Sequence, residues 1–251
     1  VPAAIVLAGG PPDPRLAPGL PNKAFAALGG RPVVARVLAA LRGCAAIERV
    51  IAVGPAAALR ALDPALEVVP EQPSLMDNIA AAAAHLAGVP EVVAVPSDLP
   101  LITADAVDRF IRACAGDAGF YFAIVPQAAL LQRFPGVHKT FVRVADGVFA
   151  SGNILLFDPA LIEKIRPFVQ RVIDARKKPW LLAQLFGWST VLKLASGTLT
   201  IAEMERRVLD VTGIAGKAVV LDAPELALDL DADRPGNVAI LQAAVEDGGG
   251  R

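Results

Sequence analysis

Cysteine is nearly absent from this chain of 251 residues. Cys44 and Cys114 form no Cys-x-x-Cys pair, so neither a disulfide framework nor a zinc site is expected, and two isolated thiols fit a reducing cytosol. Histidine is equally scarce: His85 lies in an alanine-rich helical stretch, His138 adjoins Lys139, and neither reads as a catalytic base. An excess of charge of either sign is missing too. Lys and Arg number 24 against 25 Asp and Glu, and a net charge of -1 removes the electrostatic reason to expect nucleic acid as a partner. No transmembrane segment is expected. The nearest approach, Trp180–Ile201, has Lys193 as its one charge, but Gly187, Ser189, Thr190, Ser196 and Gly197 interrupt it. The first residues carry no positive region of the kind that opens a signal peptide, and the chain starts at Val1 rather than Met, as a processed or trimmed chain does. Together these absences lead to the expectation of a cytoplasmic protein.

What the chain has is apolar residues, 55% of the total, with a mean hydropathy of +0.53. Much of this is alanine, which favours helix without adding much core volume. The runs Ala3–Ala8, Val50–Val53, Glu67–Val69, Val92–Val95 and Tyr121–Val125 are apolar on both faces, as strands of a buried parallel sheet are. Helical patterns lie between them. Arg31–Arg42 sets Val33, Val34, Val37, Leu38 and Leu41 on one stripe, and Asp105–Ala115 does the same behind Thr103 as N-cap. This alternation predicts a doubly wound α/β sheet, and the length suits a single domain over residues 1–251.

Past Gln127 the pattern changes. Asp146-Gly147 between Phe141–Val144 and Val148–Ala150 predicts a hairpin, and Ile154–Phe157 a further strand. An apolar helix face runs from Leu161 to Ile173 after Asp158-Pro159, and Thr200 with Glu203 forms a capping box for a helix stopping at Gly213. The sheet is expected to resume at Val219–Leu221 and Ala227–Leu230, followed by a helix after Pro235 and a frayed Gly248–Gly250 tail. Trp180–Ile201 reads as a buried helical hairpin, with an interface to a second subunit, giving a homo-oligomer, or a docking face for an apolar acceptor as alternatives. Arg176, Lys177 and Lys178 before it read as acceptor-phosphate or headgroup contacts, or as solvated charge.

Two stretches carry chemistry. Leu7-Ala8-Gly9-Gly10 ends the first strand in a glycine pair, which lets backbone N–H groups approach phosphate oxygens closely; the bland alternative is an ordinary tight turn. Arg15 and Lys23 follow, and Lys23 could fold back to stabilise charge on a pyrophosphate leaving group. Pro96-Ser97-Asp98-Leu99-Pro100 follows the most apolar strand. Ligands of open α/β sheets bind beyond the carboxyl ends of strands, where Asp98 could hold Mg²⁺ (or Mn²⁺); its other reading, a helix cap, is already met by Thr103.

The run Leu7-Ala-Gly-Gly … Arg15 … Asn22-Lys23-Ala-Phe … Leu28-Gly-Gly-Arg-Pro-Val-Val, with Ser97-Asp98-Leu99-Pro100, resembles the MobA-like NTP transferase family. The stretch from Gly10 to Leu16 lacks that family's third glycine, and Pro11, Pro12 and Pro14 offer no N–H donors. The resemblance implies a Rossmann-like three-layer α/β/α sandwich, close to the GT-A fold, with a mixed helical and hairpin insertion. It implies an NTP-binding core over residues 1–126 and 217–245 and an acceptor-side insertion over 127–216. It also assigns roles: Lys23 and Arg15 as catalytic residues, and Leu7, Ala8, Gly9, Gly10 and Lys23 on the nucleotide. Ser74 and Asn78 would read the base, although the same pair also reads as a helix cap. Gly152 and Asn153 would border the acceptor, although they also read as a turn into a strand. Asp229-Leu230-Asp231 resembles the family's terminal acidic motif. Alternation on a strand would put both carboxylates on one face, with Asp231 completing the metal site with Asp98 and Asp233 capping the next helix.

The activity so implied is metal-dependent transfer of NMP from an NTP to a small phosphorylated acceptor, a sugar- or alcohol-phosphate, with release of pyrophosphate. A molybdopterin-type guanylyl- or cytidylyltransferase is the alternative within the class, and a non-catalytic nucleotide-binding protein the alternative outside it. A GT-A glycosyltransferase would need a mid-chain Asp-x-Asp, and here that pattern stands near the C-terminus.

Overall fold

The computed structural model of the chain describes residues 1–175 and 178–248. In chain order the elements are β1 (Ala3–Leu7), β2 (Ala27–Leu28), β3 (Arg31–Pro32), α1 (Val33–Gly43), β4 (Arg49–Gly54), α2 (Ala56–Leu62), β5 (Glu67–Pro70), α3 (Leu75–His85), β6 (Val92–Pro96) and α4 (Ala104–Ala113). The second half adds β7 (Phe120–Pro126), α5 (Gln127–Arg133), β8 (Val142–Val144), β9 (Gly147–Phe157), α6 (Ile162–Ala175), α7 (Pro179–Phe186), α8 (Trp188–Ser196), α9 (Ile201–Thr212), β10 (Gly216–Val220) and α10 (Pro235–Gly248).

The main sheet runs β10-β7-β9-β6-β1-β4-β5, with β8 paired to β9. Strand β1 is parallel to both β4 and β6, which explains its unbroken Ala-Ala-Ile-Val-Leu run: both faces are covered. On one side Ala4 and Val6 pack against Val34, Val37 and Leu41 of α1 and Phe110 of α4. On the other, Ile5 and Val53 pack against Met76 and Ile79 of α3 and Ile162 of α6. The result is the expected three-layer α/β/α sandwich. Each large side chain fully buried in it, Ile5 and Phe110 among them, contributes about 1.5–3 kcal/mol.

Local signals act as the sequence implies. Thr103 accepts a hydrogen bond from the N–H of Ala106, the Thr200–Glu203 capping box is made from both sides, and Gly213 closes α9 at φ 66. Strand β9, which contains the expected Ile154–Phe157 strand, lies within the sheet, antiparallel to both β6 and β7. Two expectations change. Ala227–Leu230 is not a strand. A 3-10 turn over Pro224–Leu226 leads into irregular chain whose Leu228 and Leu230 are buried one by one, and the Leu230 N–H bonds the Asp98 carbonyl instead of joining a ladder. The 180–201 segment is a helical hairpin, α7 and α8, but not a buried one: Trp180 is 56% exposed, Trp188 63% and Leu192 64%. The tail beyond Gly248 and two of the three basic residues, Arg176 and Lys177, lie outside the described residues. No helix among the described residues is long and apolar enough to cross a membrane.

Candidate active site

The carboxyl ends of β1 and β6 meet at one point. The Ser97 N–H donates to the Leu7 carbonyl at 3.0 Å, and the Ala8 N–H to the Val53 carbonyl at 2.7 Å, so both loops leave the sheet from fixed positions. From Ala8 the chain passes through Gly9 to Gly10, whose φ of 133 belongs to glycine. The Gly10 N–H is not free: it donates to Glu71 Oε1 at 2.6 Å. A Cβ on Gly9 would lie 2.7 Å from the same oxygen. Glu71 thus holds an anionic oxygen where the loop was expected to receive one. Asn22, buried, donates from Nδ2 to the Ala8 carbonyl at 2.9 Å and accepts from the Ala24 N–H at 2.9 Å. It straps the loop to the turn Lys23–Phe25 and so aims Lys23.

Lys23 Nζ reaches Asp98 Oδ2 at 2.5 Å and donates to the Leu230 carbonyl at 3.1 Å. Burial works against the ammonium, but Asp98, then Asp229 and Asp231, outweigh it and hold Lys23 above the ordinary lysine range. Burial pushes the Asp98 carboxyl up, against the charge and hydrogen bond of Lys23. Asp98 Oδ1 is buried and has no hydrogen-bond partner. A buried carboxylate oxygen is an expensive group to leave unmatched.

The terminal acidic segment meets this pair through its backbone, by the Leu230 contacts to Asp98 and Lys23. The chain here is not a strand, so alternation does not set where its two carboxylates lie, and both stand close enough to Lys23 to raise it. Asp229 pairs with Lys139, a lysine whose side chain is only 9% exposed. Burial raises the Asp229 carboxyl, but Lys139 outweighs this and holds it below the usual carboxylate range. Asp231 instead faces a cavity of about 380 Å³ whose wall includes Gly9, Gly10, Arg15, Lys23 and Asp233. Its Oδ1 accepts from the Asp233 N–H at 3.0 Å. Asp233 is not the residue directly before α10, which starts at Pro235, and its carboxylate takes the Arg15 guanidinium at 2.7 Å. Arg15 also forks onto Asp13, at 3.1 and 3.2 Å, and these carboxylates hold it well above its ordinary range. No group of three or more His, Cys, Asp or Glu among the described residues is arranged as a metal cage.

Ser74 and Asn78 are both engaged in the start of α3. Ser74 Oγ accepts from the Asp77 N–H at 3.1 Å, and the buried Asn78 Oδ1 accepts from the Gln72 N–H at 2.7 Å. Gly152 and Asn153 sit at an irregularity in the β7–β9 register. A Cβ on Gly152 would lie 2.6 Å from Ala123 Cβ, so strand packing alone demands glycine there. Asn153 adopts a left-handed φ of 51 and donates from Nδ2 to the Leu226 carbonyl at 3.0 Å. It therefore holds the upstream end of the segment that carries Asp229 and Asp231. Two residues escape a reading by motif. Lys139 is far from Asp229 in sequence, and Glu71 stands between Pro70 and Pro73 with nothing local to tie it to Gly10.

The MobA-like NTP transferase domain matches residues 4–184. The chain belongs to this family. As a MobA-like protein it is an enzyme of the nucleotidyltransferase class. A hypothetical transferase from Thermus thermophilus superposes with a TM-score of 0.83 at 36% identity, over 94% of this chain and 99% of that one. CMP:2-keto-3-deoxy-manno-octonic acid synthetase complexed with CTP gives a TM-score of 0.60 at 13% identity, over 99% and 100% of the two chains. 4-Diphosphocytidyl-2C-methyl-D-erythritol synthase gives 0.57 at 15%, over 97% and 99%. These last two share the fold. No curated protein sequence matches the chain.

Proposed function

We propose that this MobA-like enzyme transfers NMP from an NTP to the phosphate of a sugar- or alcohol-phosphate, releasing pyrophosphate. The observation that carries the reading is the Lys23–Asp98 pair at the sheet's carboxyl end, with Asp98 Oδ1 buried and unmatched beside it. Asp98 and Asp231 would be the carboxylates to hold a divalent cation of the magnesium type, which is commonly held by one or two carboxylates with the substrate's phosphates supplying the rest. Once bound, such a cation would offset the charge of the NTP phosphates. Lys23 lines the cavity and is the cation that stands to exchange Asp98 for an incoming phosphate oxygen. The acceptor phosphate is already an anionic nucleophile, so positioning and charge stabilisation suffice and no general base is needed.

The test is pyrophosphate release from each NTP with Mg²⁺ and a panel of phosphorylated acceptors. Asp98→Ala is expected to lower kcat/KM by about 10² to 10³, the scale of losing one electrostatic stabiliser. Silence across the panel, with NTP binding unchanged in Asp98→Ala, would overturn the reading.

A further inference from the structure

The second face of the sheet is left partly open. Along β7, Tyr121, Ala123 and Val125 are 3%, 1% and 0% exposed on one face, while Phe122 on the other is 38% exposed. The layer α6 to α9 causes this. α6 meets α3 and packs Ile162, Ile165 and Val169 towards the sheet, α9 meets β10, and the turn before α9 bonds the β8–β9 hairpin, so space is left along β7 between these contacts. Two adjoining cavities of about 320 and 420 Å³ result, and Phe120, Phe122 and Val208 wall both. The first continues along Val142, Phe149, Met204 and Ala218. The second continues along Leu75, Phe157, Phe168 and Phe186.

From this space we infer the acceptor class: a phosphate monoester of a long hydrocarbon alcohol, alkyl or isoprenyl, with its chain between the sheet and α6 to α9. This deepens the transfer reading above and rests on it. Each cavity falls within the roughly 300–1,000 Å³ of small-molecule sites. The few polar groups of the walls are mostly engaged. Glu205 takes Lys217 at 2.7 Å and the Ala218 N–H at 2.9 Å, and Asp158 takes the Ala160 N–H at 2.8 Å. A sugar or a pterin seated there would leave its polar atoms without partners, whereas a hydrocarbon needs none. The remaining polar residue is Ser151 on the wall of the first cavity, whose hydroxyl donates to Asn153 Oδ1 at 3.3 Å and accepts from the Asn153 N–H at 3.2 Å. Ser151-Gly152-Asn153 is the stretch assigned to the acceptor side, so the chain would lie inward and the phosphate at the Ser151 end. The second cavity ends at Leu75 and Met76, directly after Ser74 at the start of α3.

In the reaction, an oxygen of the acceptor phosphate dianion bonds to the α-phosphorus of the NTP. The bond from that phosphorus to the α,β-bridging oxygen breaks, and its electron pair leaves with pyrophosphate. The product is the diphosphate diester joining nucleoside and hydrocarbon chain, and no proton need move.

The test is binding, independent of turnover. Calorimetric titration of the full chain with n-alkyl phosphates from ethyl to dodecyl is expected to show affinity rising about fourfold per methylene buried, then levelling where the space is full. Farnesyl phosphate, set against dodecyl phosphate, decides between isoprenyl and alkyl chains. Val208→Trp and, as a milder filling, Ala218→Met are each expected to flatten the series at a shorter chain, with melting curves confirming that both variants fold. Equal affinity for ethyl and dodecyl phosphate, or a series unmoved in both folded variants, would overturn the inference. Chain-dependent binding sensitive to Val208→Trp but without pyrophosphate release from any NTP would uphold the cavity and count against the transfer reading.

Discussion

Replacing Lys23 leaves the Asp98 carboxylate buried without its counter-charge, while replacing Asp98 leaves an ammonium that is 38% exposed and can turn to water. The two halves of one ion pair should therefore differ in stability as well as in activity. We predict that Lys23→Met costs about 2–3 kcal/mol in urea unfolding and Asp98→Asn less than about 1 kcal/mol, although both impair transfer. Equal losses would mean that the pair is solvated in solution. Gly152 makes a second prediction at this scale. Its missing Cβ faces Ala123 across β7 and β9, at 2.6 Å from Ala123 Cβ and 3.0 Å from its carbonyl oxygen. Gly152→Ala must push strand against strand, at about 1–3 kcal/mol, read as a lowered Tm. An unchanged Tm would leave ligand approach as the reason for glycine.

Among elements, β4 and β5 are clasped at their starts by Arg49, which forks onto Glu67 at 3.0 and 2.5 Å, with His85 of α3 on the same carboxylate. The Arg49 hydrogen bond holds Glu67 below the usual glutamate range, against burial, which raises it. A depressed carboxylate stabilises the fold above its unfolded value, near pH 4.3, and that stability is lost as pH falls through the folded value. Both side chains are more than a third exposed, so solvent screens the pair and its worth is below about 1 kcal/mol. Glu67→Gln should flatten the acid side of the Tm–pH curve and leave Tm at pH 7 little changed. An acid limb identical to that of the parent would show that other carboxylates set it.

At the scale of the whole molecule, the site is assembled from β1, the turn at Lys23, the β6 loop and the irregular chain before α10, so ligands should couple to global stability. An NTP with Mg²⁺ at a hundred times its Kd is expected to stabilise by about 2.7 kcal/mol. The shift should vanish with EDTA and be reduced in Asp231→Asn. An EDTA-insensitive shift of the same size would remove the metal from the binding step. The helical layer packs on the sheet through α6 and meets β10 through α9, and the first of the second-face cavities lies where Leu194 of α8 and Met204 and Val208 of α9 face Phe120, Phe122 and Ile124 of β7.

The sequence by itself determined what depends on neighbours along the chain. Alternation and capping were legible, as at β1, Thr103 and the Thr200–Glu203 box, because hydrophobic period and N–H satisfaction act over a few residues. That Asp98 stands beyond the carboxyl end of β6 was legible because it directly follows a recognisable strand. Only the tertiary structure decided how distant groups meet: Glu71 on the Gly10 N–H, Lys139 on Asp229, and β9 between β6 and β7. It also decided that Asp229 takes Lys139 while Asp231 lines the cavity beside Lys23, because Ala227–Leu230 buries its leucines without joining the sheet, and the period-two rule has no strand to act on. Burial, charge pairing and strand order are properties of the packed chain, and no local pattern encodes which partner a buried charge will find.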